Sequence, residues 1–479
     1  MSLDNDAGTY KATDKKRPRV VILGSGWAGY ALARTLSPSK TTRVVISPRS
    51  HFVFTPLLAS TTVGTLEFRT VVEPVRRLGN VEFHQAWACE VDFASKKIVV
   101  EACTQDEAAA KTGIPLEPGE RYEIGYDKLV IAVGAWSQTF GIEGVREHAN
   151  FLRDVGDART IRLKVLQAFE KASQPTTSDA DRKKLLHFAI VGGGPTGVEF
   201  AAELHDLVHD DLAKLYPELA KFVAITIYDI APKVLPMFDQ NLGNYATELF
   251  RREGINVKTE HHLNRIRKEG DTLVLSVKEE AGGEVGAGLV VWSTGLMQNP
   301  LVKQLVSKEL RMPASSGDNG KGGSVVRLAK DDKTGGLHVD GHLRVQTRQP
   351  SDPSGVVEVL PDVYAIGDCA VLDEALPATA QVASQQAIYL GKQLNREAKE
   401  ASSSAATPAP FKFRNWGTMA YLGSWRAIHQ KGSQELKGRA AWLLWRTAYL
   451  TKSMSVRNKI MVPVYWLITW IFGRDISRF

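Results

Sequence analysis

The sequence has few cysteines, and their spacing excludes several classes of function. Among 479 residues only Cys89, Cys103 and Cys369 are cysteines, and no two of them form a C-x-x-C pair. A disulfide framework, a zinc site and a thiol–disulfide redox centre all need cysteines at closer or more regular intervals. The sequence therefore argues against all three and fits a compartment that keeps thiols reduced.

The sequence also lacks an apolar run long enough to cross a membrane. Residues 460–472 are mostly apolar but include Pro463 and Thr469, and a spanning helix needs about 20 apolar residues. The run holds two tryptophans and a tyrosine, which favour the membrane–water interface. Large apolar and basic side chains are mixed just before it. The pattern predicts amphipathic helices lying on a membrane, and it fits equally well a helix packed on the body or on a second subunit.

Most of the chain carries no net charge. The whole sequence carries 60 basic and 53 acidic residues, a net charge of +7. Residues 437–479 contain eight of the basic residues and one of the acids, so residues 1–436 balance at 52 and 52. A neutral body disfavours a protein that coats nucleic acid, whereas a basic tail favours docking on an anionic surface.

A strand–glycine–helix pattern near the N-terminus predicts a dinucleotide-binding fold. The apolar residues 20–23 precede Gly24, Gly26 and Gly29 in the order G-x-G-x-x-G. Glycines at these positions allow a tight turn and let a pyrophosphate approach the backbone at the helix N-terminus. The next predicted strand is followed by Arg49 rather than by the acid that usually holds a ribose. Arg49 would contact a phosphate or adenine, or simply be solvated.

The same pattern recurs farther along the chain. Gly192, Gly194 and Gly197 follow an apolar strand over 187–191, and the next predicted strand ends in Asp229. A carboxylate there would accept hydrogen bonds from both ribose hydroxyls and repel a 2′-phosphate, which favours NADH over NADPH. A carboxylate that only caps the next turn is the alternative. Two such fingerprints predict two bound dinucleotides.

Three further short strands end in glycine, and their order predicts how the two nucleotide-binding domains are arranged. They end at Gly134, at Thr294 and Gly295, and at Gly367 and Asp368. In a flavoprotein the last of these would bring the Asp368 carboxylate to the ribityl or pyrophosphate oxygens of FAD. The order of fingerprints and glycine-ended strands indicates an FAD domain interrupted by an NADH domain.

The sequence therefore predicts an α/β fold with two Rossmann-like dinucleotide-binding domains and C-terminal amphipathic membrane-anchoring helices. The expected boundaries are an N-terminal extension over 1–18, an FAD-binding domain over 19–182 and 301–400, an NADH-binding domain over 183–300 and a membrane-association region over 401–479.

The motifs "SPRSHFVFTPLL", "VGGGPTGVEFAAEL", "PATAQVASQQA" and "AYLGSWRAI" resemble those of the type II NADH:quinone oxidoreductases. These are the single-subunit alternative NADH dehydrogenases of fungal and plant mitochondria and of bacteria, and they have a glutathione-reductase-like fold. The resemblance implies FAD as the bound cofactor, with Thr55 and Pro56 near it, NADH as donor and ubiquinone as acceptor, without proton pumping. It also implies a peripheral protein of the mitochondrial inner membrane, on a face that stays open.

Three side chains are candidates for contact with the reacting rings. Gln381 and Gln385 are four residues apart, so they share a face of the predicted helix. The resemblance implies that this helix passes beside the flavin, where uncharged amides could hydrogen-bond a quinone carbonyl. Ordinary interface amides are the alternative. Ser384 stands where fungal relatives can carry a histidine. The resemblance also implies that Glu199 lies near the nicotinamide, although the helix dipole alone accounts for an acid in a first turn.

Other functions and locations share some of these features. An apoptosis-inducing-factor-like NADH-sensing flavoprotein would bind nucleic acid, which the neutral body disfavours as a partner. A flavin reductase acting on a protein electron carrier would leave the glutamines and the basic tail unexplained. A homodimer is left open. The first 18 residues do not resemble a mitochondrial presequence, and the final Ser477, Arg478 and Phe479 weakly resemble a peroxisomal ending.

Overall fold

The computed structural model describes residues 9–10, 17–103, 118–311, 325–350, 357–400 and 409–478. The chain forms two compact units. The first unit comprises Met1–Phe52, Glu73–Trp136 and Met297–Arg414, and the second comprises Val53–Val72, Ser137–Leu296 and Asn415–Phe479. Most of the expected extension over 1–18 lies outside the described residues, as does Phe479 at the end of the peroxisomal-like motif. The expected boundaries follow cofactor binding rather than packing, so they stay a prediction.

The first unit is built on a mixed sheet of eleven described strands with parallel strands at its centre. In sheet order the strands are Thr9–Tyr10, Arg121–Gly125, Lys97–Ala102, Val81–Asp92, Thr42–Ser47, Arg19–Leu23, Lys128–Ile131, Glu358–Ala365, Arg344–Arg348, Val325–Leu328 and Leu310–Arg311. The α-helices among the described residues of this unit are Trp27–Thr35, Pro300–Ser307 and Ala380–Glu400, which we call the first fingerprint helix, the proline helix and the glutamine helix.

The register of the central strands brings their carboxyl ends to one edge of the first sheet. Leu23 is opposite Ile131, and Ile131 is opposite Ala365, in parallel pairs. Every residue of Arg19–Leu23 is buried, as expected for a central parallel strand covered on both faces. Segments that follow these strands therefore meet at the same edge, where open α/β sheets bind ligands.

The second unit has a five-stranded parallel sheet, in the order Asn150–Phe151, Leu289–Trp292, His187–Val191, Ala224–Tyr228 and Ile255–Lys258. Two three-stranded antiparallel sheets accompany it: Leu263–Glu269, Thr272–Val277 and Glu284–Ala287, and then Thr418–Tyr421, Ala427–Lys431 and Gln434–Gly438. The described α-helices are Leu58–Thr62, Val145–His148, Val155–Ala172, Asp179–Leu185, Pro195–Leu207 (the second fingerprint helix), Ala213–Leu215, Gln240–Arg252, Arg439–Lys452 and Val456–Phe472. The predicted α/β class is confirmed.

Two tail helices, Arg439–Lys452 and Val456–Phe472, end the second unit. One side of them packs on that unit, with Trp445 and Val462 buried, so the packing alternative holds for part of their surface. The other side is exposed and apolar; Trp470 is 68% and Phe472 81% exposed. Over the described ranges no helix combines the length and apolarity needed to span a bilayer.

Candidate functional site

The first glycine fingerprint forms a turn that only glycine fits, followed by an open position. Gly24 has φ of +107°, and a Cβ on it would lie 2.4 Å from the Ala132 carbonyl oxygen. A Cβ on Gly29 would lie 1.9 Å from the Gly24 carbonyl oxygen, so helix and strand pack closely. Gly26 caps the first fingerprint helix, and the nearest atom to a Cβ there is an Arg49 Nη at 4.0 Å.

The open backbone at Gly26 and the nearby cation fit a pyrophosphate. The helix N-terminus contributes free N–H groups and a partial positive charge, and the Arg49 guanidinium adds a full one. Ser25 holds the Arg49 segment, because its Oγ lies 2.9 Å from the Ser47 Oγ and donates to the Arg49 carbonyl at 3.2 Å. The structure thus brings Arg49 to the fingerprint. Its contact with a cofactor stays a prediction.

Gly134, Gly367 and Asp368 follow the aligned strand ends of the same sheet. Gly134 and Gly367 have φ of +65° and +77°, where side chains are strained. A Cβ on Gly367 would lie 3.2 Å from that of Ala28 in the first fingerprint helix, so this turn and the fingerprint are neighbours. Predicted FAD residues of the first unit therefore gather at one edge of its sheet.

Gln386 was not predicted, and it fixes the turn at Gly367. Its buried side chain accepts a hydrogen bond from the Gly367 N–H at 2.7 Å. A buried amide oxygen with such a partner is satisfied and holds the loop in one conformation. The adjacent Gln385 drew attention in the sequence because of its spacing from Gln381, whereas the role of Gln386 depends on a contact with a residue nearly twenty positions away.

Gln385 has a backbone partner in the first unit. Its Nε2 donates to the Arg414 carbonyl at 2.9 Å, and its Oε1 accepts from the Arg414 N–H at 3.0 Å. This two-point contact matches the alternative of an interface amide. Ser384 differs, because its Oγ is buried and has no hydrogen-bond partner within the part of the chain that the structure describes. Gln381 lies in the first turn of the same helix and is partly exposed.

Thr55 and Pro56 lie in the second unit, whereas the first fingerprint lies in the first. They belong to the 3₁₀ helix Thr55–Leu57, which has Pro56 near its start, where proline costs no hydrogen bond. The Phe54 N–H just before it donates to the Val71 carbonyl at 2.7 Å. The predicted contact of Thr55 and Pro56 with FAD stays a prediction.

The second fingerprint repeats the geometry of the first. Gly192 has φ of +113°, and a Cβ on it would lie 2.4 Å from the Ser293 carbonyl oxygen. A Cβ on Gly197 would lie 2.0 Å from the Gly192 carbonyl oxygen. Gly194 caps the second fingerprint helix, and no atom lies within 4 Å of a Cβ built there. This turn also fits a pyrophosphate at a helix N-terminus.

Asp229 sits at the end of the neighbouring strand and contacts this turn. Its Oδ2 accepts a short hydrogen bond from the Gly193 N–H, and its Oδ1 accepts from the Ala231 N–H at 2.7 Å. The carboxylate therefore does cap its own turn, as the alternative proposed. A carboxylate has about four acceptor sites, so two backbone donors leave capacity for ribose hydroxyls. The predicted ribose contact is untested.

Thr294 and Gly295 follow the strand Leu289–Trp292 and are fixed by Gln138. The Thr294 Oγ1 donates to the Gln138 carbonyl at 3.0 Å, and the Gln138 N–H donates to the Gly295 carbonyl at 2.9 Å. Val191 is opposite both Tyr228 and Trp292 in the sheet. The second fingerprint, Asp229 and Thr294 consequently follow three neighbouring strand ends at one edge.

Glu199 lies in the second turn of the second fingerprint helix, not in the first turn as predicted, and it is half-buried. Its Oε1 accepts a hydrogen bond from the Tyr421 N–H at 3.0 Å and another from the Trp445 Nε1 at 3.4 Å. Burial raises the pKa of Glu199 to about 8, and the nearby Glu203 adds to the rise. This carboxyl group therefore gains and loses a proton near neutral pH.

A second acid on the same helix, Glu203, was not predicted. It is buried, and it accepts a hydrogen bond from the Ser60 Oγ at 2.5 Å and another from the Thr65 Oγ1 at 3.0 Å. Burial raises the pKa of Glu203. Its spacing of four from Glu199 was a visible signal, since residues at that spacing share a helix face.

Arg474, just after the second tail helix, places a positive charge beside the acids that extend the second fingerprint helix. The Arg474 Nε donates to the Thr65 Oγ1 at 3.0 Å, and its Nη1 lies 2.8 Å from the Asp211 Oδ2 and 3.3 Å from the Asp210 Oδ2. Burial alone would lower the pKa of Arg474, but the neighbouring carboxylates raise this pKa by more, so the guanidinium stays charged. Acids of the second fingerprint helix and its extension are thus neutralised by a residue near the end of the chain.

The cysteines form no redox pair. Cys89, Cys103 and Cys369 form no disulfide bond. Cys369 follows Asp368 and is buried, and burial raises the pKa of its thiol to about 12. The reactive species of a thiol is the thiolate, so Cys369 is unreactive at physiological pH.

Two family models match the sequence. Residues 18–316 match the pyridine nucleotide-disulphide oxidoreductase family, and residues 416–475 match the NDH2 C-terminal domain. A probable NADH dehydrogenase of Dictyostelium discoideum is 39% identical over 466 residues, which cover 96% of this chain and 91% of that protein. The mitochondrial external NADH-ubiquinone oxidoreductase 2 of Saccharomyces cerevisiae is 34% identical over 97% of this chain and 83% of that protein.

Solved structures agree in fold. The structure of NDH2 from Plasmodium falciparum in complex with NADH superposes with a TM-score of 0.80. The superposition covers 96% of this chain and all of that one, at 24% sequence identity. At that identity the likeness concerns the fold alone.

Proposed function

We propose, because the chain belongs to the pyridine nucleotide-disulphide oxidoreductase family and within it to the type II NADH dehydrogenases, that it oxidises NADH and reduces ubiquinone through bound FAD. The observation that carries the proposal is the pair of glycine turns, one in each compact unit, each with an open backbone position at a helix N-terminus. In balance, one NADH, one proton and one quinone give NAD⁺ and one quinol.

FAD, when bound, supplies a two-electron relay between a hydride donor and a quinone. The chain holds it through the first fingerprint, where Gly26 leaves room for the pyrophosphate and Arg49 neutralises its charge. Gly134, Gly367 and Asp368 line the same edge, and Gln386 keeps the turn at Gly367 in shape. No cysteine pair is needed, because the electrons do not pass through thiols.

NADH binds at the second fingerprint. Gly194 leaves room for its pyrophosphate, and Asp229 accepts hydrogen bonds from the adenosine ribose while it also holds the turn. The charge of Asp229 repels a 2′-phosphate, so NADH is preferred over NADPH. Glu199 lies on the helix that begins here, and its half-buried carboxyl is protonated in part at neutral pH because its pKa is about 8. It holds a proton beside the nicotinamide.

Ubiquinone reaches the glutamine helix. Gln381, a partly exposed residue, is the contact that we propose for a quinone carbonyl. Gln385 acts more indirectly, because both ends of its amide hold the Arg414 backbone. The Ser384 Oγ is a small buried donor beside them where fungal relatives can carry histidine, and it leaves any proton delivery to other groups.

The tail helices hold the protein on a membrane surface. Their outward side carries exposed aliphatic and aromatic residues, and the tail carries the whole net positive charge. Both features suit a helix pair that lies in the interface with its cations near lipid phosphates. The relatives named above include mitochondrial enzymes, so we propose the mitochondrial inner membrane; the same apolar side would also suit a homodimer.

An anaerobic flavin titration tests the proposal. The purified, FAD-loaded protein should bleach at 450 nm when about one equivalent of NADH is added, and a short-chain ubiquinone should restore the colour. Failure of NADH to bleach the flavin would refute the proposed donor. Bleaching without reoxidation by quinone would instead favour a flavin reductase that acts on a protein electron carrier.

A further inference from the structure

Arg446 in the first tail helix is a cation enclosed by tryptophans. The carbon at the centre of its guanidinium lies 4.2 Å from the ring centroid of Trp466 and 4.4 Å from that of Trp442. Trp425 adds a third ring at 5.7 Å. These rings attract the charge through their faces and leave Arg446 half-buried. Burial accordingly lowers the pKa of Arg446.

Aromatic faces do not satisfy the N–H groups of a guanidinium. Its five donors lie in the plane of the group and need acceptor atoms at its edge. The Arg446 Nε is buried and lacks a hydrogen-bond partner among the described residues. Within the same ranges no carboxylate lies at ion-pair distance from Arg446. An anion at the edge of the guanidinium would stabilise a half-buried cation that has an unpaired donor.

The carboxyl group that attracts Arg446, that of Glu203, does not supply that anion. It acts only at longer range, and both its oxygens already accept hydrogen bonds from Ser60 and Thr65. The negative charge of Glu203 also interacts with the positive charge of Arg474. Burial raises the pKa of Glu203, which weakens its negative charge further. Arg446 is thus open to an anion that the described residues do not supply.

The surroundings of Arg446 indicate which anion. Leu443, one turn earlier on the same helix, is 59% exposed, and Leu467, next to Trp466, is 54% exposed. An inorganic anion has no apolar groups that could cover these exposed leucines. A phospholipid does, because its acyl chains can cover the leucines while its phosphate meets the cation. Indoles favour that depth in a bilayer.

Lys452, near the end of the same helix, repeats the arrangement in a weaker form. Its Nζ lies 4.8 Å from the ring centroid of the exposed Trp416, burial lowers its pKa, and no carboxylate among the described residues pairs with it. Two cations on one helix therefore lie over indoles without an anionic partner. Arg446 differs in having a planar set of donors, which suits two oxygens of one phosphate group.

We propose that Arg446, enclosed by Trp442, Trp466 and Trp425, binds the phosphate of an anionic phospholipid whose acyl chains cover Leu443 and Leu467. The site rests on the proposed docking of the tail to a membrane and goes further, because it makes one lipid molecule a specific ligand. Such a ligand would fix the depth and rotation of the first tail helix, whereas diffuse attraction to a charged surface would not.

Binding of a monomeric lipid tests the site. The FAD-loaded full chain is titrated by calorimetry with dihexanoyl-phosphatidylglycerol below its micelle concentration, and separately with inorganic phosphate. Arg446→Gln should weaken lipid binding by about tenfold or more, since a charge-assisted, two-point contact is lost. Arg446→Lys keeps the charge without the planar donors and should be intermediate. Arg439→Gln removes an exposed charge from the same helix and should change binding less than about twofold.

Three results would overturn the site: no lipid binding by the wild type, equal loss with Arg446→Gln and Arg439→Gln, or inorganic phosphate binding as tightly as the lipid. The flavin spectrum of each variant shows whether it has folded, and Arg446→Lys replaces Arg446→Gln if the latter does not. The NADH bleaching experiment on the wild type is independent, so failure of the lipid site is distinguishable from failure of the proposed reaction.

Discussion

Replacing Glu199 by glutamine should change how the stability of the second unit depends on pH. Glutamine keeps an oxygen that can accept hydrogen bonds from the Tyr421 N–H and the Trp445 Nε1. The substitution removes only the ability of the side chain to ionise. Glu199 has a folded-state pKa of about 8, against an ordinary value of 4.5, so ionising it in place is unfavourable.

The size of the effect follows from that difference. Between about pH 4.5 and 8 the folded protein binds one proton more than the unfolded chain at this position, so wild-type stability falls as pH rises, and the full cost is reached above pH 8. The slope is at most about 1.4 kcal/mol per pH unit. From pH 5.5 to 7.5 the wild type should lose about 2 to 3 kcal/mol relative to Glu199→Gln.

Thermal unfolding followed by tryptophan fluorescence measures this difference. For a unit of roughly 250 residues, 2 to 3 kcal/mol corresponds to a relative shift in Tm of about 5 to 10 °C over that pH range. Glu218→Gln, which changes an exposed glutamate in the same unit, is the matched control and should follow the wild type. Parallel pH profiles for wild type and Glu199→Gln would refute the reasoning.

Two further substitutions test other parts of the site. Asp229→Asn keeps the size and one of the two acceptor oxygens that hold Gly193 and Ala231, and it removes the charge that repels a 2′-phosphate, so the ratio of kcat/KM for NADPH to that for NADH should rise about tenfold or more; an unchanged ratio would count against the ribose contact. Arg474→Gln leaves the carboxylates of Asp210 and Asp211 without their cation, so the free energy of unfolding in urea should fall by about 3 kcal/mol. A loss no larger than that of the exposed Arg439→Gln, under about 0.5 kcal/mol, would contradict it.

Local patterns predicted the geometry of the two glycine turns well. Gly24 and Gly192 have the positive φ that the fingerprints require, and both turns lead into helices at the ends of buried strands. These features depend on a few consecutive residues, because sterics at a tight turn allow little besides glycine. The α/β class followed from the same patterns, since strands alternating with helices give parallel sheets.

Contacts between distant parts of the chain could not be predicted in this way. Glu203 meets Ser60 and Arg474 only after folding, and Gln386 meets Gly367 through a contact across a loop. Gln385 illustrates the limit in the other direction: its spacing from Gln381 indicated a shared surface, yet its amide holds the Arg414 backbone. Periodicity identifies the face of a helix but not the group that the face meets.

Gly473 ends the second tail helix with φ of +79° and turns the chain back so that Arg474 and Asp475 pair with Asp211 and Arg162. Shortening or tagging the protein at this end would therefore do more than alter its affinity for lipid. It would disturb a partly buried ionic cluster beside the second fingerprint helix. An affinity tag is better fused to the other terminus, and loss of activity in a C-terminal deletion cannot by itself be ascribed to release from a bilayer.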